Sequence, residues 1–260
     1  MPQWLSKVEL MKSVTAFIQA RMGSSRLPGK VLKKINGIPV ILHIVMRLKQ
    51  SRYIDNIVLL TSFNKENDEL VELAKRHKVN VFRGSEENVL ERFQQASQKY
   101  PSEHIVRITG DSPFVDAGVC DLLLHTYFEK QVDYAYLSEH FAEGVDCEVF
   151  TKSSLSSLNT AELRESEREH VTLHFYENRL DQFSIYEVQN TTDDSSYRFT
   201  LDTPEDWQVI KELARFTNDT VNINYQNIKN ILDAHPLIKQ INSQVIRNEG
   251  LAISLQNEQH

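Results

Sequence analysis

The chain has 260 residues, 40% of them hydrophobic and 25% charged, with a net charge of −7. This size suits one large α/β domain, alone or with a small appendage, and the acidic balance argues against non-specific nucleic-acid binding as the main role, since that needs a basic surface. No run approaches the roughly 18 apolar residues of a membrane span, and Cys120 and Cys147 lack the C-x-x-C spacing of a zinc or redox site.

Residues 1–13 form a polar extension without the apolar stretch or cleavage site of a signal peptide, and Met11 is an alternative start. With reduced, structural cysteines, the expected location is the cytoplasm. Residues 14–20 read as a buried strand. They open into Ala20-Arg21-Met22-Gly23-Ser24-Ser25-Arg26-Leu27-Pro28-Gly29-Lys30, which holds three cations, two serines and two glycines. Glycines let backbone N–H groups turn toward an anion, and cations supply the charge. The loop is not a P-loop, because five residues separate Gly23 from Gly29 and Val31 follows Lys30.

A helix begins at Pro39 and carries Val40, Ile41, Ile44, Val45 and Leu48. Strands at 53–61, 79–83 and 104–109 alternate with helices at 64–77 and 86–100, the pattern of a doubly wound, mostly parallel sheet. A helix at 117–130 and a strand at 132–137 follow. The alternation then weakens through a strand at 144–151, helices at 153–163 and 168–180 and a strand at 182–188. Residues 138–190 are therefore expected to form an inserted lobe over one sheet edge. Residues 197–201 alternate as a strand, and Thr203-Pro204-Glu205-Asp206 starts a helix. The expected domain spans 14–216. A helical tail at 217–260 has pieces at 225–234 and 236–241 and a weakly structured end.

Ligands of such sheets bind beyond the carboxyl ends of the strands. The cationic loop lies there, as do Thr109, Asp111 in Gly110-Asp111-Ser112-Pro113, and Asp202. Two aspartates facing a loop of cations suit a nucleoside triphosphate with Mg²⁺ held by Asp111 and Asp202. Lys30 and Arg21 would neutralise a departing pyrophosphate, with Gly23, Ser24, Ser25 and Arg26 around the phosphates. Arg83, beside Gly84-Ser85, is a candidate nucleotide contact. Asp146, Glu148 and His170 are candidate sugar contacts, against the ordinary reading of exposed charges and a packed histidine.

The loop resembles the nucleotide-binding motif of the sugar-acid cytidylyltransferases, which include the CMP-Kdo and CMP-sialic acid synthetases. Gly110-Asp111-Ser112-Pro113 and Leu201-Asp202-Thr203-Pro204-Glu205-Asp206 resemble two further motifs of the CMP-Kdo type, in the same order. Arg83 to Phe93 and Arg168-Glu169-His170-Val171-Thr172 resemble segments of the spore coat polysaccharide biosynthesis protein F group, where the likeness is strongest. It extends over about residues 14 to 245. The resemblance implies a Rossmann-like, GT-A-like nucleotidyltransferase fold whose lobe binds the sugar and builds a homodimer. It implies transfer of CMP from CTP to the anomeric hydroxyl of an acidic sugar of nonulosonic type, with Mg²⁺ on Asp111 and Asp202. Thr109 stands where CMP-Kdo synthetases carry glutamine, and the lobe matches neither well-studied synthetase, leaving the sugar open. Two other readings stay open: a sugar-phosphate nucleotidyltransferase or GT-A glycosyltransferase, and a non-catalytic nucleotide-binding protein.

Overall fold

A computed structural model describes residues 13–100, 102–177 and 181–258, so most of the N-terminal extension and the end of the helix expected at 168–180 lie outside the described residues. β1 (Val14–Gln19) is almost wholly buried, as its apolar run predicts. After the cationic loop and a short 3-10 turn come β2 (Lys34–Ile35) and β3 (Ile38–Pro39), a hairpin closed by Asn36 and Gly37 at φ 46° and 83°. Asn-Gly is the pair that such a left-handed turn favours. α1 (Val40–Leu48), β4 (Asn56–Ser62), α2 (Asp68–Arg76), β5 (Asn80–Gly84), α3 (Val89–Lys99) and β6 (His104–Thr109) then alternate. α4 (Ala117–Lys130), β7 (Tyr134–Leu137), β8 (Glu148–Thr151), α5 (Lys152–Ser157), α6 (Glu165–Glu169), α7 (Leu173–Glu177) and β9 (Ile185–Val188) follow. α8 (Pro204–Arg215), α9 (Tyr225–Ala234), α10 (Pro236–Gln240) and α11 (Glu249–Asn257) complete the order.

The main sheet runs β5-β4-β1-β6-β8-β7-β9. β5, β4, β1 and β6 are parallel, β8 is antiparallel to both its neighbours, and β9 runs parallel to β7. The result is the expected Rossmann-like, mostly parallel sheet. The chain winds outward from β1 to β5, then crosses to β6, so a crevice opens between the carboxyl ends of β1 and β6. Residues 138–190 add β8 and β9 to the same sheet. Both faces are apolar: Ile18, Leu59, Val106 and Ile108 meet one set of buried residues, and Phe17, Val58, Leu60 and Phe150 the other.

Three local expectations are corrected. Residues 197–201 form no ladder, only a bridge between Arg198 and Glu143; their alternation reflects buried apolar side chains opposite a buried ion pair. The helix expected from 168 divides into α6 and α7 around Val171, whose φ of 28° cannot continue a helix. The weakly structured end holds α11, tied down by tertiary bonds described below. Among the described residues no helix is long and apolar enough to cross a membrane. Cys120 and Cys147 are free and buried. The hydrogen bond that the Cys147 thiol makes to Cys120, with burial, pushes its pKa up, which keeps it inert.

Candidate active site

The cationic loop is shaped by its neighbours. Met22 N–H donates to the buried Asn67 side chain at 2.8 Å, and Asn67 donates in turn to Ser62 Oγ at 2.8 Å. The loop closes on itself where Gly29 N–H meets the Met22 carbonyl at 3.1 Å, with Gly29 at φ 66°. Ser24 Oγ accepts from Leu27 N–H at 3.3 Å.

Asp111 arrives from the end of β6. Gly110 N–H donates to the Gln19 carbonyl at 2.8 Å, and a Cβ on Gly110 would lie 2.6 Å from that of Ala20. Glycine is thus what lets the ends of β1 and β6 close up. Leu201 N–H then donates to the Asp111 carbonyl at 2.7 Å, drawing Asp202 alongside.

Asp202 stands before α8, whose start has the predicted cap: Thr203 and Asp206 bond reciprocally and Pro204 opens the helix. Asp206 is fully buried and accepts from Asp202 N–H at 2.9 Å, Thr203 N–H at 3.0 Å and Asn242 at 2.8 Å. Arg198 grips it through two nitrogens at 2.8 and 2.9 Å and also pairs with Glu143. Such a bidentate pair fixes the Asp202 backbone from beneath.

Lys30 completes the centre. Its Nζ donates to Asp111 at 2.9 Å and to Asp202 at 2.7 Å. Burial works against the lysine's charge, but the two carboxylates outweigh it and raise its pKa. Burial likewise favours a neutral Asp111, yet Lys30 and the Thr109 hydroxyl hold its pKa at about 2. Arg26 reaches Asp202 at 3.6 Å and Glu249 of α11 at 2.5 Å. Among the described residues no group of three or more His, Cys, Asp or Glu side chains is placed to hold a metal. Asp111 and Asp202 do converge on one cation, Lys30, so this pair fits a hard divalent ion that takes its remaining ligands from phosphate and water.

Beside this centre opens a cavity of about 440 Å³. Arg26, Thr109, Asp111 and Asp202 line it together with Asp146, Glu148 and His170, so the structure brings the expected sugar contacts to these expected nucleotide contacts. Glu148 accepts from Arg107 and Tyr134, both at 2.6 Å, and from Thr172. Asp146 accepts from Gly144 N–H at 2.8 Å and Arg247 at 3.0 Å. His170 lies 3.0 Å from Ser254 of α11, and burial lowers its pKa.

Ala20, Arg21, Gly23, Ser24 and Ser25 do not line this cavity; they lie on the loop beside it. Arg21 pairs with Glu86 at 2.6 Å. Arg83 lies outside it too and is committed to Ser62, Asn64 and Asp68 at 2.7–2.9 Å, bracing the turn after β4. Sequence reasoning missed Arg107, Arg198, Arg247 and Glu249. An arginine inside the apolar strand 104–109, and another inside the alternating stretch 197–201, were readable signals. Arg247 and Glu249 lie in a stretch with none.

A mostly parallel sheet thus sets, at its switch point, one lysine between two aspartates. A cytidylyltransferase family model matches residues 15–243. The spore coat polysaccharide biosynthesis protein SpsF of Bacillus subtilis is 33% identical over 233 residues, covering 87% of this chain and 96% of SpsF. A cytidylyltransferase structure from Leptospira borgpetersenii superposes with a TM-score of 0.83 at 34% identity, covering 91% of this chain and 100% of that one. CMP:2-keto-3-deoxy-manno-octonic acid synthetase in complex with CTP shares the fold, with a TM-score of 0.61 at 18% identity over 79% of this chain and 99% of its own. The chain belongs to the cytidylyltransferase family.

Proposed function

We propose that this enzyme transfers CMP from CTP to the anomeric hydroxyl of an acidic sugar of the nonulosonic type, releasing pyrophosphate. The observation that carries this reading is the Lys30–Asp111–Asp202 cluster, whose two carboxylates line the cavity. The triphosphate lies along the loop against Arg21, Arg26 and Lys30, while Gly23, Ser24 and Ser25 shape its backbone. The acceptor occupies the cavity beside Asp146, Glu148 and His170. Its anomeric oxygen attacks the α-phosphorus, the bond to the bridging oxygen of the β-phosphate breaks, and the hydroxyl proton leaves to solvent or a carboxylate. Lys30 and Arg21 balance charge on the departing pyrophosphate. Mg²⁺, held by Asp111 and Asp202, would supply positive charge at the attacked phosphate.

The likeness to SpsF, a spore coat polysaccharide biosynthesis protein, supports a place in surface polysaccharide synthesis, and a cytoplasmic location, where CTP is made, belongs to the same proposal. A homodimer built through residues 138–190 belongs to the same proposal, and light scattering at several concentrations tests it. The product test is mass spectrometry after incubation with CTP, Mg²⁺ and a panel of nonulosonic acids and sugar 1-phosphates. A CMP-sugar supports the reading, and a nucleoside diphosphate sugar made from a sugar phosphate overturns it.

A further inference from the structure

Arginine in the centre of a buried sheet is costly, yet β6 carries Arg107 with its side chain only 15% exposed. Arg107 lines the cavity with Arg26 and Arg247. Arg26 is committed on the nucleotide side to Glu249 and Asp202. Arg247 uses both terminal nitrogens on the carbonyls of Glu139 and Phe141 and on Asp146, although its Nε, like that of Arg107, has no partner. Arg107 meets a single carboxylate through Nη1, and its Nε is buried with no hydrogen-bond partner.

Glu148, its neighbour, is itself saturated by Tyr134 and Thr172 and so serves to hold the guanidinium in place. Arg107 and Thr109 alternate onto one face of β6, and Asp111 follows just beyond the strand. Two strand residues span on the order of 7 Å, which an arginine side chain covers. A cation is therefore presented to the cavity on the strand that leads to Asp111.

We propose that Arg107 is a specificity-determining residue that reads the carboxylate of the acceptor sugar. This rests on the acceptor reading above and names the group that discriminates. A guanidinium makes paired, charge-assisted bonds with a planar carboxylate, and a neutral sugar would leave it unsatisfied.

The test measures binding without nucleotide, by saturation-transfer NMR. The probes are 3-deoxy-manno-octulosonic acid, N-acetylneuraminic acid, their methyl esters and glucose 1-phosphate. The proteins are wild type, Arg107→Gln and Arg107→Lys. At least one acid is expected to bind wild type in preference to its ester and to glucose 1-phosphate. Arg107→Gln should weaken it about tenfold or more, with partial recovery in Arg107→Lys. Calorimetric CTP binding should be alike in all three proteins, which a merely structural arginine would not allow. Equal binding of acid and ester, binding of glucose 1-phosphate instead, unchanged affinity in Arg107→Gln, or no binding by either acid would each overturn the proposal. Failure to bind CTP would overturn the proposed nucleotide alone and leave the acid titration readable.

Discussion

The Lys30 ammonium lies 2.7 Å from the Asp202 carboxylate, across 172 residues of chain. Asp111 shares the same ammonium, so cation and carboxylates are set before any nucleotide arrives. Asp202→Asn keeps the side-chain shape and removes one charge. The expected result is a fall in turnover of about a hundredfold or more with a melting temperature near wild type. Pyrophosphate release and thermal denaturation measure the two; near-normal turnover would remove Asp202 from the chemistry.

Asp206 plays the structural part of this pair of acids. Asp206→Ala strands Arg198 in the interior beside Glu143 and frees the backbone at Asp202. Breaking a buried pair from one side costs about 3–5 kcal/mol. Urea unfolding should show a loss of that order, whereas Asn242→Ala, which removes one hydrogen bond to Asp206, should cost about 1–2 kcal/mol.

His43 makes stability depend on pH. It is fully buried in α1, donates from Nδ1 to the Pro113 carbonyl at 2.7 Å, and burial lowers its pKa from 6.5 to about 4. The unfolded chain takes up the proton first, so this contribution is intact above pH 6.5 and is lost as pH falls toward 4. The loss is on the order of 3 kcal/mol. Unfolding free energies across that window should slope less in His43→Gln than in wild type.

Gly110 tests the closeness of the strand ends. An added methyl would stand 2.6 Å from Ala20 Cβ and 3.1 Å from the Gln19 carbonyl oxygen. Gly110→Ala should cost about 1–3 kcal/mol and weaken CTP binding by moving Asp111 away from the loop. Calorimetry in which the variant binds CTP as wild type does would show that this spacing is not needed.

Glu249 holds Arg26, the cation that the proposed function sets against the triphosphate. Both partners are more than a third exposed, so Glu249→Gln should change stability by less than about 1 kcal/mol. Releasing Arg26 should tighten CTP binding severalfold. Unaltered affinity would mean that Arg26 does not meet the phosphates.

Local sequence signals carried the fold where they were dense. Continuous apolar runs gave β1 and β4, and Thr203-Pro204 marked the start of α8, because burial and capping are short-range requirements. Lys30 and Asp111 were legible because the loop after β1 and the end of β6 meet at one edge of the sheet, and Asp202 joins them through the backbone bond from Leu201 to Asp111 although no strand precedes it. Residues 197–201 misled because alternation records burial and not a ladder partner. α11 was illegible because its anchors are distant: Glu249 to Arg26, Ser254 to His170 and Glu258 to Ser166. The arginine–carboxylate pairs of the cavity likewise join residues far apart in sequence.

The most direct measurement is the rate of pyrophosphate release with each of the four ribonucleoside triphosphates, Mg²⁺, and either a nonulosonic acid or a sugar 1-phosphate. The account predicts release with CTP and the acid, and little with any other pairing. Release that follows the sugar 1-phosphate, or that occurs equally with all four nucleotides, would contradict it.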